Sequence, residues 1–190
     1  MRSLLRSTAT VLATILALAA CTSSPAAPTA YASVSPGTIE PGDAIPAPAD
    51  APILTVTGAI SAHNDGSEVA LDMATLESIG LVRYAVDDPW LAARHEYTGV
   101  LLADLLDTLG AATTATTVTI TALDDYQVDI DMADIRRWPI LLATASDGAR
   151  MAVADKGPTR IVFPYHAYPE IDQLTYKDLW IWQLATIEVG

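Results

Sequence analysis

The clearest helical pattern in the chain is the run of residues 99–110, GVLLADLLDTLG. Its five leucines fall at spacings i, i+1, i+4, i+5 and i+8, which places all of them on one side of an α-helix. Gly110 is typical of the residue that follows a helix. We therefore predict a helix over 99–110 whose leucine side packs against a core. The leucines concerned are Leu101, Leu102, Leu105, Leu106 and Leu109.

Short alternating segments on both sides of this helix predict β-strands. They lie at 53–58, 68–71, 82–86, 118–123, 126–130, 140–145, 150–153, 160–163 and 180–189. Asp72 is expected to cap a second short helix that ends before Gly80, and residues 132–138 predict a third. Asp147 and Gly148 form the strongest hairpin-turn signal. These patterns predict an α+β domain over 53–190, with a mixed β-sheet core and short helices.

The first twenty residues have the composition of an export signal. Arg2 and Arg6 precede an apolar run of about ten residues, and small residues follow it. This run is shorter than the roughly 20 residues that a membrane-spanning helix needs. Residues 18–21, LAAC, resemble the lipobox of bacterial lipoproteins, in which the cysteine is acylated. We therefore predict a signal peptide over 1–20 and acyl chains such as palmitate on Cys21. The protein would then be lipid-anchored in the cell envelope, facing the periplasm or the exterior.

Residues 21–52 are rich in proline and alanine and show no apolar periodicity. Segments of this composition form extended, semi-rigid spacers. We therefore predict that the acylated Cys21 is followed by a tether that reaches residue 52, with the folded domain beginning at residue 53.

Charge and cysteine content exclude several classes of protein. The 190 residues include 23 acidic and 10 basic side chains, giving a formal net charge of −13. Such a surface repels phosphate backbones, so sequence-independent binding of nucleic acid is excluded. Because Cys21 is the single cysteine, an internal disulfide framework, a cysteine-rich zinc site and an iron–sulfur cluster are excluded as well.

Five segments follow one another in a recognisable order. They are 97–106, YTGVLLADLL; 124–126, DDY; 140–148, ILLATASDG; 156–164, KGPTRIVFP; and 182–189, WQLATIEV. Together they resemble the sulfite-oxidase-like molybdopterin-binding domain family, in its small, stand-alone branch. The resemblance implies the fold of that family, a molybdopterin cofactor and oxidoreductase chemistry.

The resemblance also implies a cysteine that ligates molybdenum from the loop between the third predicted strand and the leucine helix. That stretch, 83–96, contains no cysteine, and Cys21 lies far away across the predicted tether. Thiolate is the soft ligand such a metal takes, whereas a carboxylate or an imidazole would form a different site. We therefore expect a non-redox binding or accessory module without a bound cofactor. The alternative is a molybdopterin-dependent oxidoreductase of a small substrate with an altered metal ligand.

The resemblance also suggests a candidate cofactor pocket. Its residues are Arg160, Trp90, Tyr97, Asp125, Tyr126 and His166. Arg160 would pair with an anion, or it would form a structural ion pair with one of the many acids. Trp180 and Trp182 are assigned to the core face of the last strand. No catalytic residue and no metal site are predicted, because the three histidines lie on separate segments. The expected partner is an envelope protein or a small anionic ligand.

Overall fold

The computed structural model describes residues 30–190, which form two β-sheets and four short α-helices. The strands are β1 Ala32–Ser35, β2 Leu54–Gly58, β3 Val69–Leu71, β4 Leu81–Asp88, β5 Ala93–Leu101, β6 Thr117–Ala122, β7 Gln127–Asp131, β8 Leu141–Ser146, β9 Ala149–Arg150, β10 Arg160–Val162 and β11 Leu184–Val189. The helices are α1 Met73–Glu77, α2 Leu102–Thr108, α3 Met132–Arg137 and α4 Leu174–Lys177. The predicted signal peptide over 1–20 and the predicted acylation of Cys21 lie outside the described residues.

The two sheets differ in the direction of their strands. The first has the order β1-β4-β5-β8-β10, with β9 paired to β8, and all of its pairs are antiparallel. The second has the order β3-β2-β11-β6-β7, in which β11 and β2 are parallel and the other pairs antiparallel. Side chains from both sheets and from α2 form one buried apolar cluster. The predicted α+β class with a mixed sheet and short helices is confirmed.

The leucine helix α2 begins later than the sequence predicts. It starts at Leu102, because residues 99–101 complete β5. Gly99 lies so close to β8 that a Cβ atom there would be 2.1 Å from the carbonyl oxygen of Leu142. This close pairing continues the strand up to the point where the helix starts. The predicted burial is correct, since Leu101 is 7% exposed and Leu102, Leu105, Leu106 and Leu109 are each 0% exposed.

Residues 87–96, which follow the strand predicted at 82–86 and were expected to form a loop, lie mostly in a β-hairpin. β4 continues to Asp88 and β5 begins at Ala93, with a short turn between them. The first residues of β5 are largely exposed and polar, and Tyr97 is the first that is fully buried. Composition alone therefore conceals this strand. It forms because β5 pairs with β4 on one side and with β8 on the other.

The folded part of the chain starts before the predicted boundary at residue 53. β1 pairs with β4 at the edge of the first sheet, and the side chain of Ile45 is only 7% exposed. The backbone amides of Ala49 and Asp50 donate to the carboxylate of Asp72 at 2.7 and 3.0 Å. The predicted tether over 21–52 is therefore corrected for residues 32–52. Strand pairing, one apolar anchor and these hydrogen bonds hold that proline-rich segment on the domain.

The last strand begins at Leu184 and not at residue 180. Gln183 has a φ angle of 57°, which interrupts the extended backbone. Its backbone amide donates to the carbonyl oxygen of Thr159 at 3.0 Å. Trp180 and Trp182 therefore do not share a strand face, contrary to expectation. Trp180 is buried, whereas Trp182 is partly exposed.

Other short elements agree with the sequence patterns. Asp72 caps α1 by accepting a hydrogen bond from the amide of Thr75 at 2.8 Å. Asp147 and Gly148 connect β8 to β9, although β9 ends at Arg150 and does not extend to 153. Within residues 30–190, no helix is both long and apolar enough to span a bilayer.

Candidate functional site

A cleft of about 300 Å³ opens where three connecting segments meet. The turn between β4 and β5 contributes Trp90, and the turn between β6 and β7 contributes Asp124 and Tyr126. The segment between α4 and β11 contributes Asp178, Trp180 and Trp182. The lining is thus dominated by aromatic rings and carboxylates drawn from both sheets.

Arg160, at the start of β10, is buried behind this cleft and is only 2% exposed. Its Nη2 atom lies 2.9 Å from Oδ2 of Asp88, and its Nη1 atom donates to Oη of Tyr97 at 2.9 Å. Oη of Tyr97 in turn donates to Oδ2 of Asp88 at 2.6 Å. The guanidinium carbon also lies 5.4 Å from the ring centroid of Trp180, which lines the cleft. Of the two roles left open for Arg160, the structure shows the ion pair.

The protonation states in this buried triad follow from its contacts. Burial raises the pKa of Asp88, but the hydrogen bond from Tyr97 and the charge of Arg160 outweigh it, so the pKa lies below its usual value. Burial and the hydrogen bond to Asp88 raise the pKa of Tyr97 well above its usual value. Asp88 is therefore ionised and Tyr97 protonated at neutral pH. The charge of Arg160 is compensated by Asp88, while its buried Nε and Nη2 atoms make no hydrogen bond within the described residues.

Asp88 also connects the triad to the cleft wall. Its Oδ1 atom accepts hydrogen bonds from the amides of Trp90 and Leu91 at 2.8 and 2.9 Å. Nε1 of Trp90 donates to the carbonyl oxygen of Lys177 at 3.2 Å. Asp88 is thus a positioning residue for the turn that carries Trp90. Sequence analysis missed it, although an aspartate directly before Pro89 is a known signal for a side chain that hydrogen-bonds the following turn.

Four of the six predicted pocket residues lie in or directly behind the cleft. Trp90 and Tyr126 line it, and their side chains are 47% and 53% exposed. Arg160 and Tyr97 are buried in the triad and do not line it. The structure thus brings Trp90 and Tyr126 together in the cleft wall and places Arg160 and Tyr97 in the triad behind it.

The other two predicted residues do not join this site. Asp125 occupies the turn between β6 and β7 with a φ angle of 66° and is not part of the lining. His166 lines a separate groove, where its ring lies 5.0 Å from that of Tyr84. The chain after β10 runs towards the β1–β4 edge of the first sheet, which takes His166 away from the cleft. Sequence analysis did not identify Asp124, Asp178 and Trp182 as cleft residues.

The histidines do not gather into a metal site. Nδ1 of His95 lies 2.6 Å from Oδ2 of Asp147, and His166 has a separate position. Across residues 30–190, no group of three or more His, Cys, Asp or Glu side chains is placed to hold a metal ion.

Residues 71–168 match the model of a family described as the oxidoreductase molybdopterin-binding domain. This match covers more than half of the chain. The chain belongs to this family. The predicted family resemblance is therefore confirmed.

A structural comparison shows the same fold for this molybdopterin-binding-type domain. It is similar to the crystal structure of the sulfane dehydrogenase SoxCD from Paracoccus pantotrophus, with a TM-score of 0.54 and 12% sequence identity. The similarity covers 72% of this chain and 37% of the SoxCD chain, so the chain corresponds to little more than a third of that protein's length. At this identity the likeness concerns the fold alone. No curated protein matches the chain.

The residues at the cleft of this family member do not fit a thiolate-ligated molybdopterin group. Such a group carries an anionic phosphate and a metal that takes a soft ligand. The cleft presents the carboxylates of Asp124 and Asp178, and the charge of Arg160 is compensated by Asp88. Cys21, the single cysteine of the sequence, lies outside the matched residues 71–168.

Proposed function

We propose that the chain is a lipid-anchored protein of the cell envelope whose molybdopterin-type domain serves as a non-redox binding or accessory module. The observation that carries this proposal is the buried triad of Arg160, Asp88 and Tyr97. The basic residue that would meet an anionic cofactor is ionically paired and hydrogen-bonded within the protein. Fold alone does not grant an activity, and the activity of a site depends on its residues.

Net charge supports the same proposal. With 23 acidic and 10 basic residues, the chain has few cations to hold a phosphate-bearing cofactor, and Arg2 and Arg6 belong to the predicted signal peptide. The sequence pattern around Cys21 supports the anchor. Cys21 would be consumed by acylation and would not be available as a metal ligand.

Elemental analysis tests the non-redox role. The chain is expressed in a bacterial host that makes molybdopterin, and the purified protein is assayed for molybdenum and for the fluorescence of released pterin. A cysteine-containing member of the same family, purified from the same host, shows that the cofactor is supplied. We expect molybdenum and pterin at the level of the buffer blank in this chain and near one per protein in the control.

Stoichiometric molybdenum with pterin in this chain would overturn the proposal. It would favour the alternative, an oxidoreductase of a small substrate with an altered metal ligand.

A further inference from the structure

Four of the seven large apolar side chains that are exposed among the described residues lie in the two turns bordering the aromatic cleft. Among the described residues, Trp90 and Leu91 are 47% and 44% exposed in the β4–β5 turn. Leu123 and Tyr126 are 56% and 53% exposed in the β6–β7 turn. A local concentration of exposed apolar surface typically marks a place where a ligand or partner binds. At about 300 Å³ the cleft is at the lower end of the range for ligand pockets, which suits a small molecule.

Two indole rings form a corner in this cleft. The ring centroids of Trp90 and Trp182 are 6.4 Å apart, and their planes meet at 70°. Tyr126 adds a further aromatic wall. Trp90 is fixed by its hydrogen bonds to Lys177 and Asp88, so this wall exists before any ligand arrives. Aromatic faces arranged around a small space attract cations through their negative quadrupoles.

The polar groups of the cleft also favour a cation. Asp124 and Asp178 both line it, and within residues 30–190 neither carboxylate takes part in an ion pair. Beside the cleft, the ammonium nitrogen of Lys156 lies 4.2 Å from the ring centroid of Trp182. One indole of the corner therefore already contacts a cation. Burial, followed by the charge of Arg160, lowers the pKa of Lys156, so its ammonium is held there at a cost.

We propose that the cleft between Trp90, Trp182 and Tyr126 binds a small organic cation of the substituted-ammonium type, with Asp124 and Asp178 supplying the counter-charge. A trimethylammonium group has the shape and charge to fill an aromatic corner, as in other aromatic cages. An anionic ligand would instead meet two carboxylates. The inference rests on the proposed non-redox role, because a cleft filled by a redox cofactor would have no room for a small cation.

Titration with choline chloride tests the proposal on the full-length lipoprotein in detergent, with tryptophan fluorescence and calorimetry as readouts. The comparison ligand is 3,3-dimethylbutan-1-ol, which has the shape of choline without its charge. We expect saturable binding of choline and binding of the neutral analogue that is roughly tenfold weaker. Equal affinities would overturn the proposal. Saturable binding of glucose without a preference for choline would also overturn it and indicate a carbohydrate cleft.

Variants test whether the cleft favours a cation or an anion. Lys156→Met keeps the aliphatic stem but removes the competing ammonium, so choline should bind several-fold more tightly. Asp178→Asn should weaken binding several-fold, while Asp65→Asn, an exposed residue of the β2–β3 connection with the same charge change, should leave it unchanged. Weaker binding in Lys156→Met would overturn the proposal, because that is the behaviour of an anion site.

Phosphatidylcholine vesicles distinguish the possible sources of the cation. Competition by vesicles would assign the site to a lipid head group, and no competition would assign it to a free cation; both outcomes keep the proposed chemistry. The molybdenum analysis is independent of this titration. Absence of choline binding together with absence of molybdenum would remove this inference alone, whereas bound molybdopterin would remove the proposed function as well.

Discussion

The guanidinium of Arg160 lies between a carboxylate on β4 and a phenol on β5, and all three groups are buried. The buried charge of Arg160 is tolerated because the carboxylate of Asp88 beside it carries the opposite charge. Removal of one partner leaves the other uncompensated in a medium that solvates it poorly. The stability of the domain should therefore depend on this triad more than on any exposed ion pair.

The substitution Arg160→Met measures that dependence. It keeps the aliphatic stem but leaves Asp88 buried and unpaired, and should lower the free energy of unfolding by about 3–5 kcal/mol. The control is Arg83→Met, which breaks an exposed pair with Glu96 and should cost less than about 1 kcal/mol. Urea denaturation compares the two variants. An Arg160→Met protein as stable as the control would mean that the arginine is free to serve a ligand.

The sequence alone left the role of Arg160 open, for a physical reason. Its neighbours Asp88 and Tyr97 belong to a hairpin whose second strand is concealed by polar, exposed residues. Without that hairpin, nothing in the sequence brings Asp88 next to β10. The importance of Arg160 could be predicted from its segment, but its partner required the tertiary pairing.

Among the elements, α1 shows what short-range signals can predict. Its cap at Asp72 was predicted from the sequence, since the cap is separated from its amide partner by only three residues. Short-range signals also predicted two other features, the hairpin turn at Asp147 and Gly148 and the buried leucines of α2. By contrast, β1 forms by pairing with the distant strand β4, and the start of β11 is set by the backbone at Gln183. The sequence reveals neither of them.

Asp72 also joins two elements, because it accepts hydrogen bonds from α1 and from the segment before β2. Hydrogen bonds from the amides of Asp50 and Thr75 hold the pKa of Asp72 far below its ordinary value of 3.8. A folded-state pKa below the unfolded one gives stability that is present at neutral pH and is lost as the pH falls below the ordinary value.

The variant Asp72→Asn tests this pH dependence. The amide retains an acceptor oxygen but lacks the charge, so at pH 7 the variant should be less stable by about 1 kcal/mol. The difference in the free energy of unfolding between wild type and the variant should narrow as the pH falls below 4. Chemical denaturation at pH 7 and pH 3 measures it, and Asp65→Asn serves as an exposed control that should show no such narrowing. A gap that is the same at both pH values would contradict the assigned role of the charge.

At the scale of the whole molecule, the two sheets place the connecting segments of β4–β5, β6–β7 and α4–β11 around one cleft. The family and fold could be predicted because five short motifs keep their order along the chain. The residues that line the cleft could not be predicted, because Asp124, Asp178 and Trp182 look like ordinary turn or strand residues in the sequence. The function must therefore be argued from the residues of the site and not from the family alone.

The proposed attachment of the molecule to a membrane depends on one atom, the sulfur of Cys21. The variant Cys21→Ser should leave the domain folded but release it into the soluble fraction, because the proposed acyl chains would have no cysteine to carry them. Electrostatics should not retain it, since a protein with a net charge of −13 is repelled by anionic lipid. Fractionation after a high-salt wash, with Ser23→Ala as a neighbouring control that stays in the pellet, measures the release. A Cys21→Ser protein that remains in the washed pellet would show that another part of the chain or a membrane partner provides the attachment, and the acyl-chain anchor would have to be abandoned.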